Sequence, residues 1–261
     1  MKIHHMNCGT IRLPGARMVC HVLLLETGNG LVLVDSGFGL EDIANPAQRI
    51  GPFRHIIRPL LDPEETAVRQ IERLGFRRED VRDIVLTHFD IDHIGGLSDF
   101  PHADVHLTKT EADAAMYHPS FSERHRYSRQ QWSYGPKLVE HAPGDEIWQG
   151  FTGVKRLSAV APGLLLVPLP GHTRGHAGYA IDTGNGWLLH AGDAFYYQCT
   201  LDGRSKMPLA ARIQETLVSF NRRQVAENQA RLAELYARSG SGVDIICSHD
   251  PALLEKFAKS K

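Results

Sequence analysis

The run Thr87-His88-Phe89-Asp90-Ile91-Asp92-His93-Ile94-Gly95-Gly96 constrains this chain more than any other segment. Four side chains able to bind a metal, His88, Asp90, Asp92 and His93, fall within six residues, and two glycines then let the backbone turn closely around them. Imidazoles and carboxylates at this density suit a hard-to-borderline divalent ion, and the set is large enough to serve a second one. A stray His/Asp cluster on a solvated loop is the competing reading. It loses ground because further His and Asp follow downstream in equally suggestive settings.

The surrounding pattern says where such a cluster would sit. Val19 to Leu25 reads as a strand, Gly28-Asn29-Gly30 as a tight hairpin turn, and Leu31 to Val34 as the returning strand, ending at Asp35-Ser36-Gly37. Asp62-Pro63-Glu64-Glu65 has the marks of a helix start, with Val68, Ile71 and Leu74 as its apolar stripe and Gly75 as its stop. Val81 to Leu86 is a short buried strand, so the cluster begins at a strand's C-terminal end, where open sheets carry ligands. The stretch from Glu26 to Gly37 is echoed by Asp182 to Asp193: each reads as strand, Asn-Gly hairpin, strand and acidic turn. The echo predicts two similar halves stacked as sheets. Residues 109–150 between them are polar, aromatic and rich in His and Arg, which predicts a lid or insertion with a short helix over Ala112 to Tyr117. One helix is expected over Val218 to Ala237 and a last strand over Val243 to Cys247, with Ser248-His249-Asp250-Pro251 directly after it. Strands alternating with helices make this an α/β chain with polar clusters at strand ends.

Three more candidate ligands occupy such ends. His172 lies in the loop Pro170-Gly171-His172-Thr173-Arg174-Gly175-His176, Asp193 closes the second hairpin, and His249 closes the final strand. Each alone is weak evidence, but an α/β core can gather strand ends into one site. A pair of metal ions there could lower the pKa of a shared hydroxide, polarise a carbonyl or phosphoryl oxygen and stabilise a leaving group. Carboxylates such as Asp35 or Asp250 could orient the imidazoles through their second ring nitrogen.

Together these segments resemble the metallo-β-lactamase superfamily over essentially the whole chain, read as one domain spanning 1–261. The resemblance rests on that family's His-x-His-x-Asp-His signature, its Gly-His-Thr-x-Gly-His loop, its bridging Asp and its late His. It implies a four-layer αβ/βα sandwich of two similar halves and two divalent metal ions, with zinc first and iron or manganese as alternatives. Carried over by position, His88, Asp90 and His172 would form one metal site, Asp92, His93 and His249 the other, and Asp193 would bridge. Asp90 departs from the pattern, which has its second His there; the harder, charged oxygen shifts preference towards iron or manganese. His176 is expected to hold its loop, and Asp35 to support the site rather than fill it.

Within the superfamily the chain resembles the lactonases that open acyl-homoserine lactones, the quorum-quenching enzymes. The resemblance lies in Tyr196, three residues after Asp193, and in the pair His249-Asp250. It implies a lactone or carboxylic-ester hydrolase in which a metal-bound hydroxide attacks the carbonyl, Tyr196 hydrogen-bonds the developing oxyanion and Asp92 returns a proton to the leaving oxygen. Tyr197 competes with Tyr196 for that role. Other chemistries of the fold are a phosphodiesterase or nuclease, for which Arg124, Arg126 and Arg129 offer a basic surface unless they belong to a solvated lid, and a thioesterase like glyoxalase II. An iron-dependent oxidoreductase is a further alternative, although no flavin module accompanies it. Residues 109–150 and the segment from Phe38 to Leu61 are expected to shape the substrate mouth; Phe121, Tyr127, Trp132 and Tyr134 read as an apolar acyl-chain wall or a homodimer contact, with core packing or a simple lid hinge competing equally.

Charge and composition agree with a small-molecule substrate. With 29 basic and 30 acidic residues the formal net charge is -1, which gives no reason to expect nucleic acid or an anionic membrane as partner. The four cysteines, Cys8, Cys20, Cys199 and Cys247, have no zinc-ribbon spacing and read as free thiols. No secretory signal or membrane-length apolar run is apparent, so a cytoplasmic protein is expected.

Overall fold

A computed structural model describes residues 1–238, 240 and 242–259. Two six-stranded mixed sheets pack face to face with helices on both outer sides, the four-layer α/β sandwich of the metallo-β-lactamase fold. The first sheet runs in chain order through β1 (Lys2–Leu13), β2 (Ala16–Thr27), β3 (Gly30–Val34), β4 (Val81–Val85), β5 (Asp104–Thr108) and β6 (Lys137–His141). The second contains β7 (Glu146–Trp148), β8 (Phe151–Arg156), β9 (Leu164–Pro168), β10 (Ala177–Asp182), β11 (Trp187–His190) and β12 (Val243–Ile246), in the spatial order β12-β11-β10-β9-β8-β7.

The two hairpins identified from sequence occupy matching places. β2 and β3 pair antiparallel and β3 then pairs parallel with β4; β10 and β11 pair antiparallel and β11 then pairs parallel with β12. The central strands are nearly all apolar because both of their faces are covered. Leu23, Leu25, Val32 and Val34 face the second sheet, meeting Leu166, Tyr179, Ile181 and Ile246. Alternate residues Leu24 and Leu33 face outward onto Val68 and Ile71 of the helix Ala67–Arg73. On the far side Leu165, Val167 and Leu189 pack under Leu232 and Leu235 of the helix Arg222–Ala237 and Leu253 of the helix Pro251–Lys259. Each such fully buried side chain contributes about 1.5–3 kcal/mol.

Several expectations need correcting. The first strand, Lys2–Leu13, is absent from the sequence reading because its polar residues His4, His5, Asn7 and Arg12 interrupt any apolar run. Asp62 caps only a single 3-10 turn, accepting from the Glu64 amide at 2.9 Å; the helix itself restarts at Ala67 behind Thr66. The short helix expected over Ala112 to Tyr117 begins earlier, at Lys109, and widens into a π turn over Asp113–Tyr117. The helix expected over Val218 to Ala237 is two helices, Leu209–Val218 and Arg222–Ala237. Between them the Asn221 side chain accepts from the amides of Arg223 and Gln224, starting a new helix rather than continuing the old one. Residues 109–150 divide: Lys137–His141 and Glu146–Trp148 are edge strands of the two sheets, and the helix Phe121–Arg126 lies beside the cavity described below.

Candidate metal centre

Asp35 follows β3, His88 follows β4, His172 follows β9, Asp193 follows β11 and His249 follows β12. Parallel pairing within each half puts these C-terminal ends at one edge, and the stacked sheets bring the two edges together. The junction is hydrogen-bonded directly: Ala177 N donates to Thr87 O at 3.0 Å and His21 N donates to Ser248 O at 2.8 Å. Gly192 makes the approach feasible. It has φ +56, and a Cβ there would meet Thr87 Cβ at 2.9 Å and His176 Nε2 at 2.6 Å.

Two groups of ligand-type atoms result. In the first, His88, His172 and Asp193 place one donor atom each within 4.8 Å of one another; in the second, Asp92, His93 and His249 do the same. Asp193 faces both, with Oδ1 3.4 Å from His93 Nε2 and Oδ2 3.4 Å from His172 Nε2 and 2.9 Å from His249 Nε2. His88 Nε2, His93 Nε2 and Asp193 Oδ1 are buried without a hydrogen-bond partner. Orphaned acceptors of this kind, converging on one point, fit a bound cation.

The hydrogen-bond network fixes which ring nitrogens face inward. Asp35 accepts from Thr87 N at 2.8 Å, from Thr87 Oγ1 at 2.8 Å and from His93 Nδ1 at 2.9 Å. Because the Thr87 hydroxyl gives its proton to Asp35, its oxygen accepts from His88 Nδ1 at 2.9 Å. His249 Nδ1 donates to Val19 O at 2.9 Å. In each case Nδ1 is bonded away from the centre and Nε2 is the nitrogen that faces it, able to bind a metal once its own proton is released. Asp35 thus takes the supporting role expected of it. Asp250 does not: it accepts from the amides of Gln198 and Ala252 and holds the chain after β12. His176 holds its loop, donating to Leu169 O at 3.0 Å and accepting from Asp193 N at 2.9 Å.

Electrostatics favour a positive charge here. Burial alone would lower the His93 pKa, but Asp193, Asp92 and Asp35 outweigh it and hold it well above the usual histidine value. Burial would raise Asp193, but His249, His93 and His172 hold it well below the carboxylate range. His172 behaves differently, since burial pushes it down to about 4. The second group therefore has a surplus affinity for positive charge that a proton or a divalent ion can supply.

Asp90 is engaged otherwise than expected. Its two oxygens take a bidentate pair from Arg126, Nε to Oδ1 and Nη2 to Oδ2, while Oδ2 lies 3.0 Å from His172 Nε2 and 3.3 Å from His88 Nε2. Burial would raise this carboxyl; Arg126 and His88 hold it well below its ordinary value. Arg126 is thereby turned inward, while Arg124 and Arg129 are exposed.

Two further residues hold the site together: Glu111, which no motif marks, and Arg126, expected only as part of a basic surface. Glu111, 1% exposed, accepts from Phe89 N, Gly175 N, Thr173 Oγ1 and Tyr127 Oη, so one carboxylate ties the His88 segment to the His172 loop. Arg126 ties Asp90 to His172 and to Val218 O. An acid where the signature has a neutral imidazole was the signal that a compensating cation should be sought.

Asp90, Asp92, Asp193, Tyr196 and Arg126 line a cavity of about 910 Å³. The Tyr196 ring is buried edge-on to His249, centroids 4.7 Å apart, whereas Tyr197 turns away and donates to Arg17 O. Of the four aromatics of the middle segment, Tyr127, Trp132 and Tyr134 follow the core-packing alternative, against the outer face of the first sheet, and Phe121 is 81% exposed. The apolar wall comes from Phe53, Ile56 and Ile57 on one side and Ile213, Leu217 and Phe220 on the other.

The chain belongs to the metallo-β-lactamase superfamily, whose family model matches residues 15–236. Among proteins it is similar to, one of Mycobacterium tuberculosis named "Probable metallo-hydrolase Rv2300c" is 54% identical over 255 residues, covering 98% of this chain and 82% of that protein. The N-acyl homoserine lactonase AttM of Rhizobium johnstonii is 26% identical, covering 91% of this chain and 84% of its own. A solved N-acyl homoserine lactone hydrolase with N-hexanoyl-L-homoserine at its catalytic metal centre superposes with a TM-score of 0.68 at 22% identity, covering 98% of this chain and 95% of that one, a likeness of fold. Among the described residues no helix is long and apolar enough to cross a membrane.

Proposed function

We propose that this metallo-hydrolase opens a lactone or related carboxylic ester carrying an apolar tail, with an acyl-homoserine lactone as the sharpest candidate. The observation that carries the reading is that one carboxylate of each ligand group, Asp193 and Asp92, lines a large cavity whose remaining lining is mostly apolar. His88, His172 and Asp193, with Asp90 beside them, would hold one divalent ion, and Asp92, His93 and His249 the other, with Asp193 shared. Zinc is the first choice and iron or manganese the alternatives. When bound, the ions supply Lewis acidity and an acidified water.

The chain's own residues do the rest. Asp35 and Thr87 keep the imidazole lone pairs directed inward. Burial, with Asp193 and Asp92 nearby, holds the Tyr196 phenol well above its ordinary pKa, so it stays protonated as a hydrogen-bond donor for the carbonyl oxygen as negative charge builds there. Asp92 lines the same wall and would take up the proton lost by the attacking water and pass it to the departing alkoxide. Ile56, Ile57, Ile213 and Leu217 take the tail and exclude water, and within 109–150 the helix Phe121–Arg126 acts as the lid through Ser122 and His125. The whole chain works as a single domain in this reading.

The test is ring opening of acyl-homoserine lactones of increasing chain length by protein reconstituted separately with zinc, manganese and ferrous iron. A phosphodiester and a thioester serve as comparison substrates. Metal-dependent lactone turnover is expected, with kcat/KM rising by up to roughly fourfold per buried methylene, from about 0.8 kcal/mol each. Fully metallated protein that leaves lactones intact while cleaving a comparison substrate would sink the reading.

A further inference from the structure

The two ligand groups differ in one respect that their residue types conceal. Arg126 Nη2 lies 2.9 Å from His172 Nε2, the atom His172 turns towards the first group, and the same guanidinium grips both oxygens of Asp90. Its Nη1 donates to Val218 O, which anchors the fork from the other side. A lone pair on His172 Nε2 can accept from Arg126 or bind a metal, but cannot do both; if Nε2 carries its proton, that proton goes to Asp90 and the conflict is the same. Around the second group no lysine or arginine makes such a contact among the described residues: Asp92, His93 and His249 meet only one another, Asp193, Asp35 and uncharged groups. A planar guanidinium that is fully ionised competes there as a fixed cation.

We propose that Arg126 is a built-in competitor for the first metal site, so that the protein fills its two sites sequentially. The Asp92/His93/His249 site fills first, and the His88/His172/Asp193 site fills only when the guanidinium is displaced. The pair Asp90–Arg126 then replaces the neutral imidazole of the usual signature by a gated ligand: Asp90 becomes available to the metal when Arg126 lets it go. Arg126 is a positioning residue in this account, acting through Asp90 and His172. The proposal rests on the reading of the centre as metal-binding but not on the identity of the substrate.

The experiment is a calorimetric titration of the metal-free full chain with zinc, paired with metal content after equilibrium dialysis at graded free zinc. Wild-type protein should show one tight and one weak site, separated by about 10–100-fold or more, the scale on which groups around a ligand tune affinity. R126Q should tighten the weak site by about tenfold or more and leave the tight site unchanged, while D90N, which removes the gated ligand and keeps the cation, should weaken it further. Two indistinguishable sites in the wild type would overturn the proposal without any variant, as would an R126Q protein whose weak site is unchanged or weaker. Failure to bind zinc at all would overturn it together with the metal-centre reading; two equal sites with active lactone opening would overturn it alone. Should R126Q not fold, the wild-type titration still decides.

Discussion

Asp35→Asn is the substitution whose consequences the network specifies most fully. Asp35 has φ 61, a left-handed conformation that Asn tolerates well, so the backbone should not move. The Asn oxygen can keep the bond from Thr87 N. The amide nitrogen, standing where Oδ2 was, can donate to Thr87 Oγ1 and to His93 Nδ1. His93 can accept that bond only by moving its proton to Nε2. Thr87, no longer donating to Asp35, is free to donate to His88 Nδ1, which moves that proton to Nε2 as well. One near-isosteric change therefore reverses both imidazoles and blocks the two lone pairs aimed at the centre, the same logic by which an Asn behind a catalytic histidine fixes the wrong tautomer. Every group still finds a partner, so the loss of stability is that of exchanging charge-assisted for neutral hydrogen bonds, about 1–2 kcal/mol. Zinc affinity should fall as well, by about 10–100-fold at each site, or roughly 1.4–2.8 kcal/mol per site. Chemical denaturation of the metal-free protein measures the first, calorimetry the second, and histidine nitrogen NMR reports the tautomers. If D35N binds zinc as tightly as wild type, or if its imidazoles keep Nδ1 protonated, the reasoning is wrong.

The remaining predictions concern single groups. Tyr196→Phe should lower kcat for lactone opening by about 10²–10³-fold with KM little changed, because the bond it removes forms as charge develops; an equal effect on KM would assign the ring to packing instead. Glu111→Ala orphans four donors around two ligand loops and should destabilise the metal-free fold by about 3–5 kcal/mol, read as a shifted denaturant midpoint at unchanged slope. Burial pushes the Glu215 pKa up to about 7, so the folded state holds a proton that the unfolded state has released above about pH 4.3. Its contribution to stability is therefore full at low pH and lost as pH rises from there through 7. Glu215→Gln, which can still accept from Tyr196 N and Gln229, should flatten that part of the stability profile; an unchanged slope would refute the assignment.

Local chemistry accounts for what could be read directly from the residues. The two Asn-Gly hairpins, the buried strands on either side of them and the polar residues at their ends each follow from a few neighbouring residues, because turn geometry and apolar runs are short-range. That was enough for the α/β class, the two similar halves and the seven residues His88, Asp90, Asp92, His93, His172, Asp193 and His249 that the fold gathers around one centre. What each of those residues does was decided by partners far away in sequence. Asp90 stands in a ligand position, yet Arg126, 36 residues on, holds it; Glu111 joins loops that no motif links; Asp35 sets two ring tautomers from the end of another strand. The segment from Phe38 to Leu61 was legible as a wall of the mouth, but its partner, the helix Leu209–Val218, and the withdrawal of Tyr127, Trp132 and Tyr134 into the core were not. Sequence spacing fixes which donors exist and on which local element. Which lone pair is free, which charge is compensated and which apolar side chain faces the substrate depend on contacts between elements, and those exist only once the sheets have stacked.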